Sequence, residues 1–481
     1  MSLGALEATV VGTAMPTVIA TLGGLAHYSW VFSAYLLTST ASVPIWGRLS
    51  DLYGRRRMYL IGVVVFLAGS MLSGAATSMV QLILSRALQG LGAGAIIPLS
   101  MTIIGELYTL EERGRTQALF SGVWGLASIA GPLVGGYITD ALSWRWVFYI
   151  NLPFGLLALL VIASAYPPRR QTTKVVVDWA GAALMFCGVS AILLAISGET
   201  GAAPVWLVAG VLLLVALGYV ERRACEPILP VDMFRNPLIA RTNIVAFLFG
   251  VAMFGAIAFI PLYVQAVLGG TATQAGQVLT PLFLGWVATS IVAARLTVKI
   301  GYKPIAIAGS ILLTSGFAGL AMMTPESSRA QLLVSCLVMG AGMGFSMLSL
   351  LLAVQHGVDR ARLGIATSLN QFSRSIGAAI GTAVMGALLT RALVGVQLPG
   401  GTGGLAASAV ALTGPVRLQV AGALQQVFIA GGITASIALV VTFFLPDVHL
   451  SPTVSSSDGE RMLAAEMTTL EPHDEPVAVP D

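Results

Sequence analysis

The chain has 481 residues and very little charge: Asp, Glu, Lys and Arg make up only 10% of it. Lysine is scarcest, with Lys174, Lys299 and Lys303 alone, and none of the three follows a glycine. A glycine-rich phosphate loop needs a Gly-Lys step to set an ammonium against the phosphates, so nucleotide hydrolysis by that device is excluded. The four histidines (His27, His356, His449, His473) and three cysteines (Cys187, Cys225, Cys336) are scattered, without metal or disulfide spacing. The serine-hydrolase elbow Gly-x-Ser-x-Gly is missing too, its nearest approach being Gly188-Val-Ser190-Ala-Ile192. An enzyme is not expected, and neither a cofactor nor a metal is implied.

What is present is apolar length. Hydrophobic residues are 56% of the chain and the mean hydropathy is +0.88, more than one globular core can use. The chain reads as an all-α multi-pass membrane protein. Its 54 glycines suit helices that approach closely in lipid. Runs near the roughly 17 to 25 residues that span a bilayer fall at 2–22, 30–46, 58–76, 79–104, 117–138, 147–166, 179–198, 205–220, 238–264, 276–294, 304–323, 330–353, 364–390 and 425–445, giving fourteen spans. No cleavable leader is expected before the first, since the run has no basic leader and continues too long before any cleavage pattern. The loops alternate in charge: GRLSDLYGRRR, EERGR, PPRRQTTK, ERRACEP with FRNP, RLTVKIGYK and DRAR fall on one side, while Arg145, Arg329 and Arg417 mark the other. The positive-inside rule places the basic side and both termini in the cytoplasm. The pI near 9.0 is thereby a topology signal, and no nucleic-acid partner is implied.

The chain repeats itself. GRLSDLYGRR at 47–56 returns as ARLTVKIGYK at 294–303, QGLGAG at 89–94 as MGAGMG at 339–344, and Gly131 with Gly135 as Gly377 with Gly381. Similar offsets in three separate elements imply duplicated halves. The expected division is a six-helix bundle over 1–170, two inserted helices with linkers over 171–237, a second six-helix bundle over 238–446, and an acidic, disordered cytoplasmic tail over 447–481. Asp51 maps to Val298 and Arg86 to Cys336, so the ionic residues concentrate in the first half.

Four stretches carry chemistry. In LEATVVGTAMP, Glu7 is the one acid well inside a span, so it must be paired, protonated or facing water. In LILSRALQGLGAG, Arg86 lies deep among apolar neighbours, with Gln89 and Gly90 following. GRLSDLYGRRR supplies Gly47 and Gly54 for a tight turn, Asp51, and the cluster Arg55, Arg56 and Arg57. GVWGLASIAGPLVGG contains Gly122, Trp124, Gly131, Pro132, Gly135 and Gly136, whose proline kinks a helix and whose glycines permit close contact.

Together these resemble the major facilitator superfamily, and within it the fourteen-span drug:proton antiporter group of multidrug exporters. The GRLSDLYGRRR turn resembles the signature loop between the second and third spans. There the resemblance implies that Asp51 latches the cytoplasmic side against a helix N-terminus near Leu363 to Thr367. Arg86 with Gln89 and Gly90 resembles the Arg-x-x-Gln-Gly pattern associated with proton coupling. The Gly122 to Gly136 spacing resembles the motif typical of exporters. LSWRWVFYINLPFG at 142–155 resembles a further element of that group, with Trp144, Arg145 and Trp146 expected to anchor the outer interface. Asn370, Gln371 and Arg374 are polar within an apolar span and either touch substrate or cap helix contacts. The first-span acid is usually Asp in the family and is Glu7 here, and the second-half signature loop is degraded.

The resemblance implies a proton-coupled exporter of lipophilic or cationic drugs, built as two six-helix bundles plus two inserted helices and working by alternating access in a bacterial inner membrane. Its partners would be a lipophilic small molecule, protons and the bilayer, and it would act as a monomer. Burial favours a protonated carboxyl and a nearby cation an ionised one, so Glu7 moving in and out of reach of Arg86 is the expected proton switch. If the mature chain begins at Met1, only six residues precede Glu7, and its proton is expected to exchange near the cytoplasmic edge rather than at the midplane. A dedicated exporter of a lipid, siderophore or metabolite is the alternative within transport, and a non-transporting sensor or scaffold is the alternative outside it.

Overall fold

The computed structural model describes residues 2–24, 27–107, 126–127, 129–166, 178–197, 202–224, 231–358, 363–394 and 414–446. Among these, all regular structure is helical, as it must be where no water is available to satisfy exposed backbone groups. The first half of the chain contributes α1 (Ser2–Leu22), α2 (Tyr28–Tyr53), α3 (Arg55–Ala75), α4 (Met79–Leu107), α5 (129–141), the four-residue α6 (Trp146–Tyr149) and α7 (Asn151–Ala165). The helices α8 (Trp179–Ser197) and α9 (Ala203–Glu221) follow. The second half contributes α10 (Pro237–Leu262), α11 (Ala272–Ile300), α12 (Tyr302–Ala321), α13 (Arg329–His356), α14 (Leu363–Ala392) and α15 (Gly414–Phe443). Among the described residues, eleven helices are long and apolar enough to cross a membrane, and Val10–Leu22 is a shorter apolar one. The chain is a multi-pass membrane protein.

Sequence explains the helix ends. Gly54 (φ 89°) stands between α2 and α3, and Gly301 (φ 85°) between α11 and α12, each in a region that favours glycine. α11 begins with a capping box, in which the Thr271 side chain accepts from the Gln274 backbone and the Gln274 side chain accepts from the Thr271 backbone. A π-helical turn (Tyr263–Val267) extends α10 just beyond Pro261, which lacks a backbone donor.

The repeat is visible as matched close approaches. A Cβ on Gly90 would strike the Tyr35 carbonyl, and one on Gly94 the Ser42 hydroxyl. The corresponding positions Gly340 and Gly344 meet Leu282 and Thr289 in the same way. Gly92 seats against the backbone of Phe66 in α3, and Gly342 against that of Leu313 in α12. Glycines on α4 thus let it pack at backbone distance against α2 and α3, and those on α13 let it pack likewise against α11 and α12.

α8 and α9 pair with each other, and α8 wedges against α2 and α14. Leu37, Val189, Leu193 and Ala383 form one shared cluster there, and Ala41, Met185 and Leu217 another. The far face of α9 exposes Val205, Leu212 and Val215, an apolar surface suited to lipid.

Described hydrogen bonds between the two halves of the chain lie at the ends of the helices away from Gly54. Gln265 Nε2 donates to the Thr13 carbonyl at 3.0 Å, Ser33 Oγ to the Ala379 carbonyl at 3.0 Å, and the Tyr28 hydroxyl to the Ala258 carbonyl. Asp140 at the end of α5 accepts from Ala272 N (3.1 Å), Thr273 N (2.7 Å) and Thr273 Oγ1 (2.5 Å) at the start of α11. The two halves are therefore closed on one another at that end.

Candidate functional site

Glu7 and Arg86 meet. Arg86 Nη1 donates to Glu7 Oε1 in an ion pair whose side chains are 2% (Arg86) and 1% (Glu7) exposed. Taking two charges out of water costs several kcal/mol each, roughly, so such a pair persists only where further bonds satisfy what remains. Those bonds are present. Arg86 Nη1 also donates to Gln89 Oε1 at 2.7 Å, Arg86 Nε reaches the Val31 carbonyl at 3.3 Å, and the guanidinium lies 4.2 Å from the centre of the Tyr35 ring. Gln89 sits one turn after Arg86 on α4, and Val31 and Tyr35 share one face of α2, so helical spacing alone assembles this side.

The other carboxylate oxygen is held by a residue that sequence reading passed over. Asn151 Nδ2 donates to Glu7 Oε2 at 2.8 Å and to Ser70 Oγ at 3.0 Å, and Ser70 Oγ donates to the Phe148 carbonyl at 2.8 Å. The signal lay inside LSWRWVFYINLPFG, where an amide opens an apolar helix. Asn151 and Ser70 are buried, so deleting the amide leaves Glu7 Oε2 without its donor away from water, while Ser70 Oγ keeps its bond to Phe148. Asn151→Ala is expected to destabilise the protein by about 1–3 kcal/mol, measured as a lower thermal unfolding midpoint in detergent.

The site is set deeper than the six residues before Glu7 suggest. Arg86 is seven residues into α4, Val31 three into α2, and Asn151 is the first of α7. All three helices start at the end away from Gly54, about 10 Å or less of helical rise from these residues. The partners of Glu7 thus lie towards the end of the fold opposite the basic loops.

The exporter-type glycines form an interface. Gly131, Pro132, Gly135 and Gly136 are buried. A Cβ on Gly135 would press Val10 and Thr13 of α1, one on Gly136 would overlap Ala272 and Thr273 of α11, and one on Gly276 would overlap the Pro132 carbonyl. Gly122 and Trp124 lie outside the described residues.

In the GRLSDLYGRRR turn, Gly54 is buried, Arg55 and Arg56 are partly exposed and Arg57 is exposed, while a Cβ on Gly47 would meet nothing. Arg56 Nη2 donates to the Ala163 carbonyl at the end of α7. The Asp51 side chain lies outside the described residues, as do those of Leu363 to Ile365, so the expected latch is not on view. Trp144 corrects another expectation: it is 3% exposed and packs inside, whereas Trp146 is 51% exposed. Arg145 stacks over Trp144 at 4.4 Å and donates to the Gly74 and Ala76 carbonyls at 3.2 and 2.9 Å, closing the end of α3.

The candidate substrate-path residues divide. Gln89 is fully buried against Arg86. Gln371 is exposed, Arg374 partly exposed and Asn370 buried on α14. Among the described residues no group of His, Cys, Asp or Glu is placed to hold a metal ion.

Comparison with known proteins fits this geometry. A family model described as Major Facilitator Superfamily matches residues 1–382. The chain is 41% identical over 396 residues, 81% of its own length and 73% of the relative's, to multidrug transporter protein MdtP of Bacillus subtilis strain 168. It is 37% identical over 436 residues, 89% and 84% of the two lengths, to multidrug resistance protein 3 of the same organism. Two solved structures share its fold. One is a bacterial homolog of the human lysosomal transporter Spinster (TM-score 0.68, 15% identity, 92% of this chain and 94% of that one). The other is a D-xylose-proton symporter (TM-score 0.64, 14% identity, 94% and 98%). With the family model covering most of its length and close multidrug relatives on either side of 40% identity, the chain belongs to the Major Facilitator Superfamily, in its multidrug efflux group.

Proposed function

We propose that the protein is a proton-coupled exporter of lipophilic, drug-like compounds that works by alternating access across a bacterial cytoplasmic membrane. The observation that carries this reading is the buried Glu7–Arg86 pair, joined by Gln89 and Asn151. A scaffold has no use for a desolvated ion pair, whereas a carrier that must bind and release a proton does. Protonation of Glu7 removes the charge that Arg86 compensates, so the pair is stable in one protonation state and strained in the other. A proton then biases the equilibrium between the two arrangements of the halves, as any ligand does that binds one state better. The basic loops support an orientation with the Gly54 end, both termini and the entry side in the cytoplasm, and the proposed architecture has fourteen spans with the α8–α9 pair inserted between two bundles. In that orientation the bonds around Asp140 and Gln265 close the outer side.

The names of the multidrug relatives support drug-like cargo. A preference for cations rested on an acid lining the path, and Glu7 is instead spent on Arg86 and Asn151. The test is proton release from purified protein in weak buffer, read with a pH-sensitive dye during a screen of lipophilic drugs and native lipid extracts. Compounds that bind should release protons as they load. Binding without any proton release would overturn the coupling, and release by lipids alone would assign a dedicated lipid exporter.

A further inference from the structure

Arg374, like Arg86, lies inside a span, but the acid that pairs with Arg86 does not pair with it. It stands eleven residues into the 30-residue α14, about 16 Å along an axis of roughly 45 Å, and so lies inside the span between the helix start and its middle. Its guanidinium donates to Gln371 Oε1 and lies 3.2 Å from Met347 Sδ on α13, and both partners are neutral. Among the described residues no carboxylate pairs with it, and Glu7 is committed to Arg86. One turn earlier on the same face of α14, Asn370 is 6% exposed and its Nδ2 has no hydrogen-bond partner. The cluster thus holds a cation and a buried donor in excess of acceptors, at a depth where an uncompensated charge requires an aqueous path or a counter-ion.

We infer that Arg374 and Asn370 form an anion subsite of the transport path, and that the protein carries amphipathic compounds bearing one acidic group. This rests on the exporter reading and names its cargo class. The carboxylate of such a compound would accept from the guanidinium and from Asn370 Nδ2, replacing neutral contacts by charge-assisted ones. Its apolar body would lie on Met347, whose unbranched thioether adapts to varied shapes. The subsite is separate from the Glu7–Arg86 pair, so cargo and proton are handled in different halves of the chain.

The test is fluorescence titration of dansyl-aminoundecanoic acid and its methyl ester onto the full-length protein in nanodiscs. The acid should bind wild type at least about ten-fold more tightly than the ester, a difference of about 1.4 kcal/mol. Arg374→Gln should remove that preference, Arg374→Lys should keep most of it, and Asn370→Ala should reduce it. Equal binding of acid and ester to wild type overturns the proposal whatever the variants do. So does unchanged acid binding in Arg374→Gln. Displacement of the probe by a saturated fatty acid would assign a lipid source, and displacement by an aromatic monocarboxylate a drug-like one; displacement by neither also overturns it. The exporter reading fails separately, if charge-selective binding is found but no compound moves under an imposed pH gradient.

Discussion

Glu7→Gln is expected to abolish proton-driven export while sparing substrate binding. In proteoliposomes with an imposed pH gradient, wild type should concentrate a bound drug against its gradient, and the variant should fall to the level of protein-free liposomes. The substitution is nearly isosteric. The amide oxygen can still accept from Arg86 and keep α1 on α4, so the bundle is expected to fold. What is lost is a group whose charge changes. Arg86 then stays a cation, with Tyr35, Gln89 and the Val31 carbonyl around it, in both arrangements of the halves. A ligand can shift an equilibrium only by its differential affinity for the two states, and a site that takes up no proton has none. Two further readouts separate loss of coupling from loss of fold. Exchange of labelled for unlabelled drug across the membrane, which needs no gradient, should persist. Drug affinity, which in wild type should vary with pH, should become flat. Full gradient-driven transport by Glu7→Gln would remove Glu7 from the mechanism and leave the ion pair a structural one.

How much of this was legible depended on whether a residue's role is local or requires a partner. The helices were readable because bilayer thickness fixes their length and an apolar run must satisfy its own backbone. Glu7 and Arg86 were readable as a pair because few charges lie deep in any span, and each needs a reason to be there. The glycine repeat was readable as an offset, but the sequence could not say that Gly90 meets Tyr35 while Gly340 meets Leu282, since that depends on which faces oppose. Asn151 was missed because a neutral amide at the start of a helix looks like any interfacial residue; only the fold brings Ser70 and Glu7 to it. Trp144 was misplaced for the converse reason. An aromatic beside an arginine near a span end reads as an interface anchor, but Trp144 precedes α6 and packs edge-on against the buried Phe148 of that helix.

The second large effect is expected at the contact between α5 and α11. In the structure the backbones of these helices touch: Gly136 lies under Ala272 and Thr273, Gly276 lies against the Pro132 carbonyl, and Asp140 closes the end of the contact with three hydrogen bonds. A methyl group at either glycine would occupy space now filled by backbone, which cannot rotate away as a side chain could. Overpacking of this kind costs about 1–3 kcal/mol, and here the cost falls on the closed state alone, because separating the halves relieves it. Gly136→Ala and Gly276→Ala should therefore shift the population towards opening at the Asp140 end by about 5- to 150-fold. The reporter is a cysteine placed at Thr17, which faces Gln265 across the same junction, in a background without native cysteines. Its labelling by a membrane-impermeant maleimide added from outside should rise sharply in both variants, and export should fall with it. Gly422→Ala is the control, since a Cβ there meets nothing within 4 Å. The two variants disturb one interface, so combining them should add less than the sum of their separate effects. Unchanged labelling in both would mean that α5 and α11 do not part during transport, and the outer gate would have to lie elsewhere along the contact of α2 with α14.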